Sequence, residues 1–301
     1  MNTESKIRHV RDTAYWMASY RAEESERQDA LFCDPLAREL VGEHGKRITA
    51  SMAYTARYSS WILVIRTCLI DDLIRKFVAE GYAVFVNLGV GLDTRPYRLD
   101  LPESVNWIEM DSPEIIELKN EKLKNHNPSC QLERIAVDLS DRPERQRVFS
   151  EINNRIGPAV VLAEGLVPYL TEDVVCDLAE HLSEIPKFKL WITEYYSPKL
   201  YPFFQGKKFQ DSLGDSPFRF FPKDWFGVLE DCGWTKKEIR YLYEEGERLG
   251  RRFPAPWFVL LFRAFVKKET IAKHMRLQAY AVLGRSRETA PEAATRESAI
   301  G

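Results

Sequence analysis

Acidic side chains stand at three places in this sequence where they could bind the hydroxyl, amino or cationic groups of a ligand. Asp111, Asp138 and Glu164 each follow a short run of mostly apolar residues, a pattern that predicts a buried strand. Because the carboxyl ends of parallel strands open onto one crevice, we expect the three carboxylates to lie close together. A carboxylate in such a position could instead cap a helix, and Asp111 before Ser112 and Pro113 fits that alternative.

A glycine-rich turn comes before these acids in the chain. Gly89 and Gly91 follow the apolar run 83–88 directly, and glycine lets a backbone approach a ligand closely. A turn that binds a dinucleotide would have a third glycine where this sequence has Thr94, which argues against NAD. Two glycines alone are also compatible with a tight strand-to-helix turn that binds nothing.

The charges around this turn favour S-adenosylmethionine, a sulfonium cation with an amino-acid end and no phosphate. Asp111 could accept hydrogen bonds from both ribose hydroxyls of a nucleoside. Asp138 could bind an adenine amino group while Leu139 covers the ring. Arg66, in the helical segment before the turn, could supply a cation for the carboxylate of the cofactor. The alternative for Arg66 is an ordinary exposed arginine on a helix.

Alternating strand and helix patterns are expected to position these residues. They predict βαβ units and therefore an α/β fold, with a mostly parallel, Rossmann-like sheet and helices on both faces. A short second helix is expected to stop at Gly42, and 238–243 with 257–266 could form an antiparallel pair at one edge. The five strands predicted in the alternating part are 83–88, 105–110, 132–137, 159–163 and 188–194.

The segment 87–99 resembles the NLGAGLDTRxxRL signature of the leucine carboxyl methyltransferase family, which includes bacterial polyketide O-methyltransferases. Val90 stands where the family usually has alanine, and Pro168 where it often has valine or methionine. The likeness covers most of residues 10–200. Its further parts are 12–14, 34–37, 66–72, 108–114, 137–139 and 163–170.

The resemblance implies a class I methyltransferase fold, with seven strands of which the last is antiparallel. It also implies S-adenosyl-L-methionine as the cofactor and a role for each matching residue. In these roles Arg66 meets the cofactor carboxylate, Gly89 and Gly91 form the turn against the methionine portion, Asp111 holds the ribose, Asp138 and Leu139 bind the adenine, and Glu164 lies near the methionine amino group.

The expected reaction is methyl transfer to an oxygen of a small-molecule acceptor. A carboxylate acceptor needs no general base because it is already ionised at neutral pH, whereas a phenol would be helped by one. No residue is predicted to act as a catalytic base. Aromatic residues are dense in 195–226, either as core or as the lining of a pocket for an aromatic or polyketide-like acceptor. The alternatives are a non-catalytic cofactor-binding protein and an NAD-dependent oxidoreductase.

Composition excludes several other classes of protein. With 43 basic and 45 acidic residues, the chain lacks the basic excess of a nucleic-acid binder. The apolar stretch 257–266 is too short to span a bilayer, so no membrane partner is expected. Five scattered cysteines without metal-ligand spacing fit a reducing compartment, and we expect a cytoplasmic protein without a metal. The expected organisation is an N-terminal helical cap (1–60), the methyltransferase domain (61–284) and a disordered tail (285–301).

Overall fold

A seven-stranded sheet forms the centre of the computed structural model, which describes residues 10–51, 56–255 and 268–286. Its strands are β1 (Val84–Leu88), β2 (Asn106–Asp111), β3 (Gln131–Ala136), β4 (Ala159–Ala163), β5 (Phe188–Tyr196), β6 (Trp234–Tyr241) and β7 (Gln278–Arg285). The order is β3-β2-β1-β4-β5-β7-β6. The first five strands are parallel, and β7 runs antiparallel to both neighbours. The predicted α/β, Rossmann-like fold with a late antiparallel strand is confirmed.

Helices cover both faces of the sheet. The helices are α1 (Val10–Ser25), α2 (Pro35–Ser51), α3 (Ala56–Ala79), α4 (Arg95–Arg98), α5 (Pro113–Lys122), α6 (Arg142–Asn153), α7 (Glu172–Glu184), α8 (Tyr201–Phe204), α9 (Lys207–Leu213), α10 (Trp225–Asp231), α11 (Leu242–Arg248) and α12 (Lys268–His274). Two short 3₁₀ turns, Val167–Tyr169 and Pro198–Leu200, complete the described elements.

Alternation along the central strands explains the two faces. In β1, Val84 and Val86 pack into one apolar cluster with α6, α7 and α10, whereas Phe85 packs into a second cluster with α3. Successive side chains of a strand point to opposite faces, so a strand covered on both sides is buried along its length and mostly apolar. All five residues of β1 are buried, and its one polar residue, Asn87, donates to Asp93 at 3.0 Å.

The predicted stop of the second helix at Gly42 is confirmed. Gly42 has φ 53° and ψ −162°, which are not helical, and a further helical stretch, counted here with α2, continues from it to Ser51. Glycine tolerates a positive φ, so one residue can leave the helical conformation while the chain returns to it on both sides.

The antiparallel edge differs from the predicted pair. β6 begins four residues earlier than predicted, at Trp234, and its partner is β7. The predicted partner 257–266 lies outside the described residues, as does nearly all of the predicted tail. The division into a cap (1–60) and a catalytic domain stays a prediction. Within the described ranges, no helix is both long and apolar enough to cross a membrane.

Candidate functional site

A cavity of about 390 Å³, here called the strand-end cavity, opens at the carboxyl ends of β1, β2, β3 and β4. Parallel strands end together, which is why residues far apart in sequence meet there. The lining contains every residue that the sequence analysis selected for the cofactor: Arg66, Gly89, Gly91, Asp111, Asp138, Leu139 and Glu164.

The turn after β1 leaves little room for side chains at its two glycines. Gly89 and Gly91 have φ values of 63° and 51°, in the left-handed region that favours glycine. A Cβ on Gly91 would lie 3.1 Å from the Cβ of Ala14, and one on Gly89 would lie 3.2 Å from Cδ1 of Leu166. The two glycines therefore bring the backbone of the turn against α1 on one side and the β4 loop on the other.

Asp111, the last residue of β2, is held by the backbone around it. Its Oδ2 accepts a hydrogen bond from the Gly91 N–H at 2.7 Å, and its Oδ1 accepts one from the Ser112 N–H at 2.7 Å. Burial raises the pKa of Asp111, and these two bonds oppose that rise. Ser112, not Asp111, is the N-cap residue of α5, so the capping alternative for Asp111 is wrong.

The turn after β3 places one polar and one apolar side chain at the cavity. Asp138 is exposed, and its Oδ1 accepts hydrogen bonds from the Ser140 N–H at 2.8 Å and the Ser140 hydroxyl at 2.6 Å. The hydroxyl bond is the main reason that the pKa of Asp138 is lowered. Leu139 is half-buried, and its carbonyl accepts from Arg145 at 2.6 Å. The acid is thereby kept ionised beside an apolar surface.

Glu164, after β4, lies between two arginines. Its Oε1 is 2.9 Å from Nε of Arg66, and its Oε2 accepts from Nη1 of Arg95 at 2.7 Å. Burial would raise the pKa of Glu164, but Arg95 and then Arg66 more than offset it and lower the pKa. The Arg66 side chain is only 13% exposed, so the alternative of an ordinary surface arginine is wrong.

Arg95 is the centre of an ion network that the sequence analysis missed. Besides Glu164, it contacts Asp71 at 2.8 Å and Asp93 at 2.7 Å, and Arg98 contacts Asp71 at 2.6 Å. Burial alone would raise the pKa of Asp93, but the neighbouring cations, Arg95 first, lower it. Arg95 and Asp93 belong to the glycine signature, which was the available signal for their importance.

Glu194, near the end of β5, is a second residue that the sequence analysis did not select. It is 1% exposed, and its Oε1 has no hydrogen-bond partner among the described residues. Its Oε2 accepts from the Gly165 N–H at 3.4 Å. Burial raises the pKa of Glu194 to about 7. The signal was present, because Glu194 stands near a strand end as the three selected acids do.

A second cavity of about 440 Å³, here called the aromatic cavity, adjoins the first. The two cavities share Met17, Arg66 and Tyr169 in their linings, and Arg66 is the one charged residue among the described residues that line the aromatic cavity. In the aromatic segment 195–226 some rings pack in the core, as Trp225 does, and others line this cavity, while an acceptor bound there stays a prediction. Those that line the aromatic cavity are Tyr196, Phe203, Phe204, Phe209 and Phe218.

Comparisons with known proteins agree with this geometry. A protein of Streptomyces avermitilis, named as a methyltransferase dependent on S-adenosyl-L-methionine, is 32% identical over 180 residues, which are 54% of this chain and 60% of that protein's own length. A Frankia alni protein of the same description is 29% identical over 255 residues, which are 81% of this chain and 88% of the relative.

The fold also has a counterpart among solved structures, and a family match completes the comparison. A Thermobifida fusca protein named as a methyltransferase superposes with a TM-score of 0.56 at 13% identity, covering 95% of this chain and 97% of its own. The sequence model of leucine carboxyl methyltransferases matches residues 14–183, more than half of the chain. That segment contains the glycine turn, the strand-end acids and Arg66. The chain belongs to the leucine carboxyl methyltransferase family.

Proposed function

We propose that this protein binds S-adenosyl-L-methionine in the strand-end cavity and transfers its methyl group to an oxygen of a small, largely apolar acceptor in the aromatic cavity. The observation that carries the proposal is that the two cavities meet at Met17, Arg66 and Tyr169. A donor and an acceptor bound side by side can react as if within one molecule, an effect worth up to roughly 7–11 kcal/mol of barrier.

The nucleoside end of the cofactor suits the residues after β2 and β3. Both carboxylate oxygens of Asp111 are fixed by backbone N–H groups, and each keeps a second lone pair for a ribose hydroxyl. Asp138 is an ionised acceptor for the adenine amino group, and Leu139 offers an apolar surface for the ring. We assign the ribose to Asp111 and the adenine to Asp138 and Leu139.

The amino-acid end suits the charges beside the glycine turn. Arg66 would bind the carboxylate, and Glu164 would bind the ammonium group while its two arginines hold it in place. Gly89 and Gly91 would allow the close approach of the methionine portion. Arg95 is paired with Asp93 and Glu164, which leaves Arg66 to bind one carboxylate and gives the cavity no positive excess for a pyrophosphate. An NAD-dependent oxidoreductase has no support in a chain of this family.

The lining of the aromatic cavity favours a carboxylate as the acceptor oxygen. When bound, the cofactor supplies a methyl carbon that its sulfonium has activated. Among the described residues that line the aromatic cavity there is no histidine, lysine, aspartate or glutamate that could act as a base. Burial raises the pKa of Tyr169 to about 12, so its phenol is a poor base near neutral pH. The remaining task of the protein is to orient the acceptor and exclude water, which the apolar lining does.

Titration calorimetry with S-adenosylhomocysteine tests the cofactor assignment. We expect micromolar binding to the unaltered protein and a loss of at least about tenfold in Asp111→Ala, the range expected when one charged hydrogen-bonding partner is removed. Asp100→Ala is the matched control, because Asp100 is an exposed aspartate outside the strand-end cavity. Absence of binding to the unaltered protein would refute the proposal.

Methyl transfer from the labelled cofactor tests the acceptor assignment. Pairs of aromatic compounds that differ only in carrying a carboxylic acid or a phenol should be compared at one concentration. We expect transfer to the acids. Transfer to the phenols alone would refute the assignment of a carboxylate as the acceptor and would leave the cofactor assignment unchanged. Cofactor binding without transfer to any member of a broad panel would support the non-catalytic alternative.

A further inference from the structure

A buried ion pair connects the loop before α2 to the glycine turn. Nε of Arg21, on α1, donates to Oδ2 of Asp34 at 2.8 Å, and Nη2 of Arg21 donates to the carbonyl of Leu92 at 2.5 Å. Asp34 is fully buried and Arg21 is 8% exposed. A guanidinium has donors in a fixed fork, so one side chain can hold both partners at a defined separation. Arg21 thus joins the N-terminal helices to the turn that lines the strand-end cavity.

One face of α1 also forms a wall of the strand-end cavity. Ala14, Met17 and Arg21 line it at spacings of three and four residues, which place them on the same side of a helix, and Thr13 lines it beside Ala14. Ala14 packs so closely on the turn that a Cβ on Gly91 would lie only 3.1 Å from it, and α1 would have to shift to make room. The shape of the cavity therefore depends on whether α1 is packed against the turn.

Asp34 also stands at the end of a row of alternating charges. Its Oδ2 is 4.0 Å from Nε of Arg98, and Arg98 contacts Asp71 at 2.6 Å. Asp71 contacts Arg95, which contacts Glu164 in the strand-end cavity. Charges buried this deeply are stable only when each is paired. Removing the negative charge of Asp34 would take away the ion-pair partner of Arg21 and a neighbouring negative charge of Arg98.

We infer that Asp34 is a positioning residue for the strand-end cavity, acting through Arg21 to hold the carbonyl of Leu92 and the wall formed by α1. Seating of α1 and binding of a ligand in the strand-end cavity are then coupled, and each strengthens the other. Asp34 itself is not among the residues that line the cavity, so it acts at a distance from the ligand. This inference rests on the proposed function only for the identity of the ligand.

Asp34→Asn is a sharp test because it removes the charge and little else. Oδ1 of Asp34 accepts from the Ala37 N–H at 3.1 Å and caps α2, a role that asparagine fills equally well. At the other oxygen position, asparagine would present an amide N–H to Arg21 in place of an acceptor. Arg21→Lys is the companion variant, since a single ammonium keeps the charge but not the fork. Arg27→Gln is the matched control, because Arg27 pairs with Asp29 on the surface.

Hydrogen exchange in the ligand-free protein is the first measurement. The N–H of Gly91 donates to Asp111, and those of Asp93 and Arg95 donate to groups of the turn itself, so their exchange reports how well the turn is held. We expect exchange in the turn and in α1 to be faster in Asp34→Asn by about tenfold or more, faster to a smaller extent in Arg21→Lys, and unchanged in Arg27→Gln.

Binding of S-adenosylhomocysteine is the second measurement. We expect the dissociation constant to rise in Asp34→Asn by a factor within the range of about 5 to 150 that is usual for coupled sites. Binding should also slow hydrogen exchange in α1 of the unaltered protein. In Asp34→Asn, binding should slow exchange in α1 much less. A merely structural residue would lower the melting temperature without changing this response of α1 to the ligand.

The outcomes separate this inference from the proposed function. If exchange in the turn of ligand-free Asp34→Asn equals that of the unaltered protein, Asp34 does not position the turn and the inference is wrong. If the unaltered protein does not bind S-adenosylhomocysteine, the cofactor assignment fails, while exchange in the ligand-free variant still decides the role of Asp34.

Discussion

Replacing Arg95 with methionine should destabilise the protein strongly through a single uncompensated charge. The Arg95 side chain is 2% exposed and contacts Asp71, Asp93 and Glu164. After the substitution, Asp71 keeps Arg98 and Glu164 keeps Arg66. Among the described side chains only Asp93 loses its direct cationic contact, keeping the amide of Asn87 at 3.0 Å.

The expected magnitude follows from this count. Breaking one buried ion pair by removing a partner costs about 3–5 kcal/mol, whereas the cost of breaking three such pairs would exceed the whole free energy of unfolding of many domains. We expect the free energy of unfolding of Arg95→Met to fall by about 3–5 kcal/mol near neutral pH. Arg155→Met is the control, since Arg155 and Glu133 form a pair whose side chains are 47% and 44% exposed. Its loss should stay below about 1 kcal/mol.

The pH dependence separates charge from packing in this prediction. In the unaltered protein the pKa of Asp93 is lowered, so its stabilisation is present above the unfolded pKa and is lost only as pH falls through the folded pKa. In Arg95→Met, burial without the cation would raise the pKa of Asp93. The penalty is then present at neutral pH and decreases as acidification protonates the carboxyl group.

Denaturant unfolding followed by tryptophan fluorescence measures both effects. The difference between the unaltered protein and Arg95→Met should shrink between about pH 7.5 and pH 5, by up to about 1.4 kcal/mol per pH unit for one proton. A loss below about 1 kcal/mol at neutral pH would refute the role of Arg95 as compensation for Asp93. A large loss that does not change with pH would show that Arg95 acts through packing instead.

Three further predictions follow from the two cavities and the glycine turn. Burial raises the pKa of Glu194 to about 7, so this residue makes the protein less stable as pH rises through that value. In Glu194→Gln the melting temperature should therefore depend less on pH between about pH 6 and pH 8, and an unchanged pH dependence would contradict this. Leu200→Trp should reduce the rate of methyl transfer by about tenfold or more and change the affinity for S-adenosylhomocysteine by less than about twofold, because Leu200 lines the aromatic cavity and not the strand-end cavity. An equal loss of rate and affinity would contradict the proposal that donor and acceptor bind in separate cavities. Gly91→Ala should destabilise by more than the strain of about 1 kcal/mol expected for Gly250→Ala, whose added Cβ meets no atom of the described residues within 4 Å. Equal losses would show that contact with α1 is unimportant.

Much of the fold could be predicted because its core strands have a strong sequence signature. Strands buried on both faces read as continuous apolar runs between helical patterns, and 159–163 was predicted with the bounds that β4 has. The edge was harder. β7 is a short apolar run, 279–283, flanked by polar residues, and nothing local distinguishes it from other apolar runs as the partner of β6. Pairing between distant strands depends on tertiary contacts that periodicity does not contain.

The site was predictable to the extent that it follows strand ends. Asp111, Asp138 and Glu164 were selected by that rule and line one cavity. The same rule applied to the fifth strand would have added Glu194. Arg21 and Asp34 could not be assigned in this way, because their importance comes from contacts between α1, the loop before α2 and the glycine turn, and these segments are up to 71 residues apart.

The boundary of the family match explains why the cofactor site is easier to predict than the acceptor. Residues 14–183 contain all seven residues selected for the cofactor and nearly the whole lining of the strand-end cavity, so the family signature constrains that cavity closely. The aromatic cavity is assembled differently. Trp16, Arg66 and Tyr169 come from within the match, whereas the wall formed by Phe203, Phe204, Phe209, Phe218, Met275, Leu277 and Gln278 lies beyond it. Substitutions in that wall can reshape the proposed acceptor cavity while Arg66 and Tyr169 keep the meeting point of the two cavities. Relatives that match residues 14–183 are therefore expected to share the cofactor and to differ in the acceptor.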